Sequence, residues 1–113
     1  MNAGDVVLIR LPTFAGGMAK LRPALVVALL PGPYQTLLLC GISSQITNFL
    51  PNWDEFIDGN DLDYAASGLH QPSIVRLSYL YAADPVEIAG TIGAVDVARL
   101  GRLRTRRACQ IKP

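Results

Sequence analysis

A proline stands at the mouth of an apolar run in Lys20-Leu21-Arg22-Pro23-Ala24-Leu25-Val26-Val27. Its ring fixes φ and removes the backbone donor, so it belongs at the first residue or the edge of a strand rather than in a central ladder. It also biases Arg22 toward an extended backbone. The segment therefore reads as a strand over about 23–30, entered from a flexible loop that contains Gly16-Gly17. A guanidinium on a stiff base beside a glycine loop suits a group that must hold a phosphate.

Other segments repeat the pattern of short apolar runs parted by turn residues. Residues 4–11 read as a first strand, Pro31-Gly32-Pro33 as a turn, and about 35–43 as a third strand. The runs are near-continuous rather than alternating, as for small-barrel strands buried on both faces. Residues 46–67 are irregular, with a short strand or turn at about 53–57 and then an acidic loop. A strand follows at 72–77, a turn or short helix at 78–83, and a strand at about 86–92. From 94 to 107 the period becomes helical. Val95, Val97, Leu100 and Leu103 share one face there, arginines occupy the rest, and Asp96 in the first turn complements the dipole.

The 113 residues predict one domain, 1–113. Half are apolar and 17% are charged, which favours a packed globule over disorder. No apolar run approaches the ~18–20 residues that span a bilayer, and the amino-terminal segment lacks a basic leader, so a cytoplasmic protein without a membrane partner is expected. Cys40 and Cys109 have no zinc-like spacing. Cys40 reads as a buried small hydrophobe. Asp54, Glu55, Asp58, Asp61 and Asp63 lack the spacing of a calcium loop, so no metal or other cofactor is expected. Residues 94–113 carry a net +5 and the first 93 residues a net −4. That asymmetry hints at an anionic partner for the carboxy-terminal segment.

Four segments, in order, carry a family resemblance. Gly4-Asp5 opens a strand, Arg22-Pro23 opens another, Ile42-Ser43-Ser44-Gln45 ends a third, and Gly68-Leu69 precedes Ser73 at a strand start. In this order and spacing the chain resembles the MazF/PemK-like toxins of type II toxin–antitoxin systems. The likeness implies a mainly β, SH3-like small barrel with a carboxy-terminal helix, usually a homodimer. It implies a metal-independent endoribonuclease acting on single-stranded RNA or mRNA, held in check by a cognate antitoxin.

RNA can be cut without metal when its 2′-OH attacks the adjacent phosphorus. The protein must align that attack and stabilise the extra negative charge of the phosphorane. Arg22 fits the charge role, because a guanidinium donates paired hydrogen bonds to phosphate oxygens. By resemblance, Ser43 is the active-site hydroxyl that orients the phosphate. Ser44 has the opposite strand parity, so only one of the two serines should face the site. Lys20, Ser44, Gln45, Arg76 and Ser78 are candidate substrate contacts. Ser78 stands where some PemK-like members place an acid, two residues after the strand arginine, so a general base is not evident. His70, the one imidazole, lies in a turn where the family shows no catalytic histidine. Tyr34, Tyr64, Tyr79 and Tyr81 could stack bases or fill a core, and the sequence does not choose. The competing reading is a non-catalytic CcdB-like barrel that binds a gyrase-type protein target, or an inactive barrel.

Overall fold

The computed structural model describes residues 1–11, 20–33 and 35–111. Its strands are β1 (Asp5–Leu11), β2 (Lys20–Leu29), β3 (Leu37–Ser43), β4 (Glu55–Ile57), β5 (Ser73–Ala83) and β6 (Ile88–Ala94). A short helix α1 (Tyr64–Ser67) precedes β5, and a longer helix α2 (Val97–Ile111) ends the chain. The strands form one antiparallel sheet in the order β4-β5-β3-β2-β1-β6. β4 and β6 are free edges, so the barrel is not strictly closed. No helix among the described residues is long and apolar enough to cross a membrane.

Both faces of the central strands are buried, as their continuous apolar character predicts. On one face Val6, Leu25, Val27, Cys40, Ile42 and Val75 pack with Ile57 of β4 and Leu103 of α2. On the other, Val7, Ile9, Ala24, Val26, Leu37 and Leu39 pack with Ala83. Tyr81 from β5 and Ile88 from β6 cover that second face. Those two strands lie on opposite sides of the β3-β2-β1 trio, so only a curled sheet brings both over the same residues.

Two expected boundaries move. β2 begins at Lys20 rather than 23, so Pro23 lies inside the strand. The reason it is tolerated is visible in the ladders. β1 pairs with β2 from Lys20 to Leu25, but β3 pairs with β2 only from Ala24 onward. Pro23 thus stands on a stretch that is an edge on one side. The turn or short helix expected at 78–83 is instead the second half of β5. That strand bends through a bulge, where the register passes from Gly41↔Arg76 to Cys40↔Leu80 and leaves residues 77–79 without partners.

The helix also departs from its expected face. Leu100 and Leu103 are buried and Val95 before the helix is too, but Val97 is 85% exposed. Asp96 lies just outside the helix as its cap, its Oδ1 accepting the Arg99 N–H at 2.7 Å.

The charge asymmetry of the sequence is met in part within the fold. The Arg99 side chain is 4% exposed. Its Nε and Nη2 donate to the two Asp63 oxygens at 2.8 and 3.2 Å, and its Nη1 donates to Glu55 at 3.0 Å and to the Phe56 carbonyl at 2.9 Å. Arg102 and Arg106 also bind Glu55, and Arg104 donates to the Val27 carbonyl. Glu55 of β4 and Asp63 are therefore the anionic partners of Arg99, Arg102 and Arg106.

Candidate functional site

The groove opens where two strands part. β2 and β3 pair from Leu29↔Leu37 down to Ala24↔Gly41. Continuing that register would set Pro23 opposite Ile42 and Arg22 opposite Ser43. The ladder stops instead at Pro23, which has no N–H to give it. β3 goes on alone with β5, through Ile42↔Val75 and Ser43↔Ile74. An open groove of about 910 Å³ lies along this divergence, lined by Arg22, Ser43, Ser44, Gln45, His70 and Arg76 among others.

Its charge is one-sided. Among the described residues, the lining contains two arginines and one imidazole but no carboxylate. Arg22 is exposed and makes no ion pair with a described residue. Arg76 is half-buried, and its Nε is buried without a hydrogen-bond partner. An unpaired buried donor of a charged group is costly, so it marks a place where an anion would be welcome.

Ser43 closes the end of β3. Its Oγ accepts the Gln45 N–H at 3.1 Å, a local turn bond that leaves the hydroxyl proton free to donate. Ser44 lines the groove as well, which overturns the expectation that only one serine faces it. Strand parity holds only inside a strand, and β3 ends at Ser43 before the 3-10 turn of Ile46–Asn48.

The opposite wall comes from the segment after α1. Gly68 adopts φ +77, and a Cβ there would overlap the Ile92 carbonyl of β6. A Cβ on Gly93 would overlap the Ala66 carbonyl. These two glycines let the helix end lie directly on β6, which brings Leu69, His70 and Gln71 to the groove. The Gly-Leu signature thus has a steric cause.

Ser78 is not brought to the groove lining. Its backbone N–H and hydroxyl both go to Asp54 Oδ1, at 3.2 and 3.0 Å. The bulge turns it away, where a regular strand would have kept it on the Arg76 side. The Lys20 and Cys109 side chains, the glycine loop at 15–17 and Tyr34 lie outside the described residues. Tyr64 packs against the core, while Tyr79 and Tyr81 line the groove. Cys40 is fully buried, and burial pushes its thiol up to about 12, with Asp54 adding to the effect. It is no nucleophile at neutral pH.

A curled six-stranded sheet with a carboxy-terminal helix places the fold among those of the MazF toxins. The chain matches the family of PemK-like, MazF-like toxins of type II toxin–antitoxin systems over residues 2–108, and it belongs to that family. Among solved structures it is similar to the Mycobacterium tuberculosis toxin MazF-mt6, with a TM-score of 0.67, 17% identity and 93% of each chain covered. It is similar also to a MazE–MazF structure from Deinococcus radiodurans, with a TM-score of 0.67, 19% identity, and 99% of this chain and 95% of that chain covered. Likeness at such identities is one of fold. No curated protein matches the chain.

Proposed function

We propose that this toxin is a metal-independent endoribonuclease that cuts single-stranded RNA, with mRNA as its cellular substrate. The observation that carries this reading is the splayed end of β2 and β3, where Arg22 and Ser43 flank a basic groove free of carboxylates among the described residues. In the proposed step the 2′-oxygen of the RNA attacks the adjacent phosphorus and the 5′-oxygen departs. The products are a 2′,3′-cyclic phosphate and a 5′-OH. The 2′-OH proton passes to solvent, and the departing oxygen takes one from it. Arg22 stabilises the phosphorane charge with paired hydrogen bonds. Ser43 donates its free hydroxyl proton to a phosphate oxygen, and Arg76 holds a neighbouring phosphate. Ser44 and Gln45 contact the strand beyond the cut.

The deciding experiment incubates the purified protein with a long RNA in EDTA and maps new 5′-OH ends. Arg22→Ala should retain the melting temperature, since its side chain is exposed, and lose about 10²–10³-fold in rate. Cleavage that survives this substitution, or that requires added magnesium, would overturn the mechanism. An intact RNA would favour the non-catalytic, protein-binding toxin, a reading for which the lack of an acidic side chain in the groove among the described residues already speaks.

The same reading gives the chain the remaining attributes of a type II toxin. Residues 1–113 act as one domain in a cytoplasmic homodimer, and an antitoxin covers the groove around Arg22. The likeness to a MazE–MazF structure supports the last point. Co-expression of the adjacent open reading frame should relieve growth arrest and yield a co-purifying complex. Light scattering tests the dimer.

A further inference from the structure

The bulge in β5 sets an aromatic ring into the groove that regular pairing would not put there. Of the three unpartnered residues, Leu77 is buried in the core and Ser78 is tied to Asp54. The third, Tyr79, lines the groove and is 49% exposed. Its ring lies over Gly41, where a Cβ would stand only 3.3 Å from a ring carbon. A glycine at that point lets the ring settle against the backbone. Tyr81 braces it edge-on, with ring centroids 5.3 Å apart and planes at 68°. Arg76, with its unpartnered Nε, is the register partner of Gly41. A flat, half-exposed ring and a guanidinium thus arise at one point of the sheet.

We propose that Tyr79 is a stacking platform for one unpaired nucleobase, placed beside the phosphate held at Arg76. The inference rests on the ribonuclease reading and deepens it. A ring braced by Gly41 and Tyr81 before binding loses little freedom when a base settles on it. Every base has a π-face, so the platform accepts any of the four and contributes affinity and register rather than sequence choice. Asp54, through its two bonds to Ser78, is the positioning residue that holds the bulge open.

The test uses 2′-O-methyl oligoribonucleotides, which cannot be cut, with 2-aminopurine stepped along the strand. Wild-type protein should quench the probe at one position. Tyr79→Leu should abolish that quenching and raise Kd about tenfold or more, the worth of one stacked base. Tyr79→Phe should keep both within about twofold of wild type, because the stack needs only the ring. A leucine variant that binds and quenches like wild type would overturn the platform. As a check that needs no variant, RNA bearing 5-iodouracil should photo-crosslink to Tyr79 in the wild-type chain, and a crosslink confined to other residues counts against the proposal. If wild type cleaves RNA while Tyr79→Leu retains KM and quenching, the platform alone falls. If wild type neither cleaves nor binds RNA, the ribonuclease reading falls and takes the platform with it.

Discussion

Ser78 gives its backbone N–H and its hydroxyl to a single oxygen of Asp54, a residue 24 positions earlier in the chain. The other Asp54 oxygen takes the Leu50 N–H at 3.0 Å, and the residue is 2% exposed. One buried carboxylate therefore answers for the Ser78 N–H at the centre of the β5 bulge. Asp54→Ala should cost about 2–4 kcal/mol in urea unfolding, since it strands buried donors. Asp54→Asn, which keeps an accepting oxygen, should cost less. Equal losses in the two variants would show that the carboxylate oxygens are not what holds the bulge.

Arg76 should trade stability against activity. Its buried Nε has no partner, so Arg76→Met should raise the unfolding free energy by about 0.5–1 kcal/mol while lowering RNA cleavage by about tenfold or more. Thermal melts and cleavage assays on the same preparation measure both. A variant that loses stability and keeps its activity would make Arg76 a structural residue.

The Arg99–Asp63 pair should carry an acid limb of stability. Burial alone would push the Asp63 carboxyl up, but the Arg99 hydrogen bonds, the Asp96 N–H and the Arg99 charge together hold it below its ordinary 3.8. A carboxyl depressed in the folded state adds stability that is fully present above its unfolded value. That stability is lost as the pH falls through the folded value. Urea midpoints for wild type and Asp63→Asn should therefore keep a constant gap above about pH 4 and converge below it. Arg99→Met, which strands Asp63, should cost about 3–5 kcal/mol at neutral pH.

Cys40 should be silent in the native protein. With its thiol raised to about 12 and no exposed surface, it should resist iodoacetamide at pH 8 and be labelled only in denaturant, as read by peptide mass spectrometry. Native labelling of Cys40 at the rate of a free thiol would contradict its place in the core.

What the sequence made legible follows from chemistry that is local. Pro23 announces an edge, the continuous apolar runs announce strands buried on both faces, and Arg22 and Ser43, chosen from their local settings, both line the groove. The failures share a different cause. Ser78 was placed by counting two residues from Arg76, a rule valid only on a regular strand, and a three-residue bulge defeats it. Strand parity sets Ser43 and Ser44 on opposite faces, but that parity ends with β3, and both line the groove. The helix arginines looked like a surface seeking an external polyanion, because nothing local shows that Glu55, 44 residues before Arg99, returns to meet them. Tyr79 was ambiguous for the same reason: its exposure depends on Gly41, a residue on another strand.

The internal pairing of the basic helix has a consequence for how the toxin should respond to ionic strength. A chain with ten lysines and arginines would be expected to displace many counterions from a nucleic acid. Arg99, Arg102 and Arg106 already have carboxylate partners, and among the described residues the groove itself offers phosphates Arg22 and Arg76. Two such contacts on a single strand correspond to a slope of only about −1.4 in log affinity against log salt. On the ribonuclease reading, the groove's own share of RNA binding should thus depend on salt far less than that of a more conventional basic RNA-binding protein.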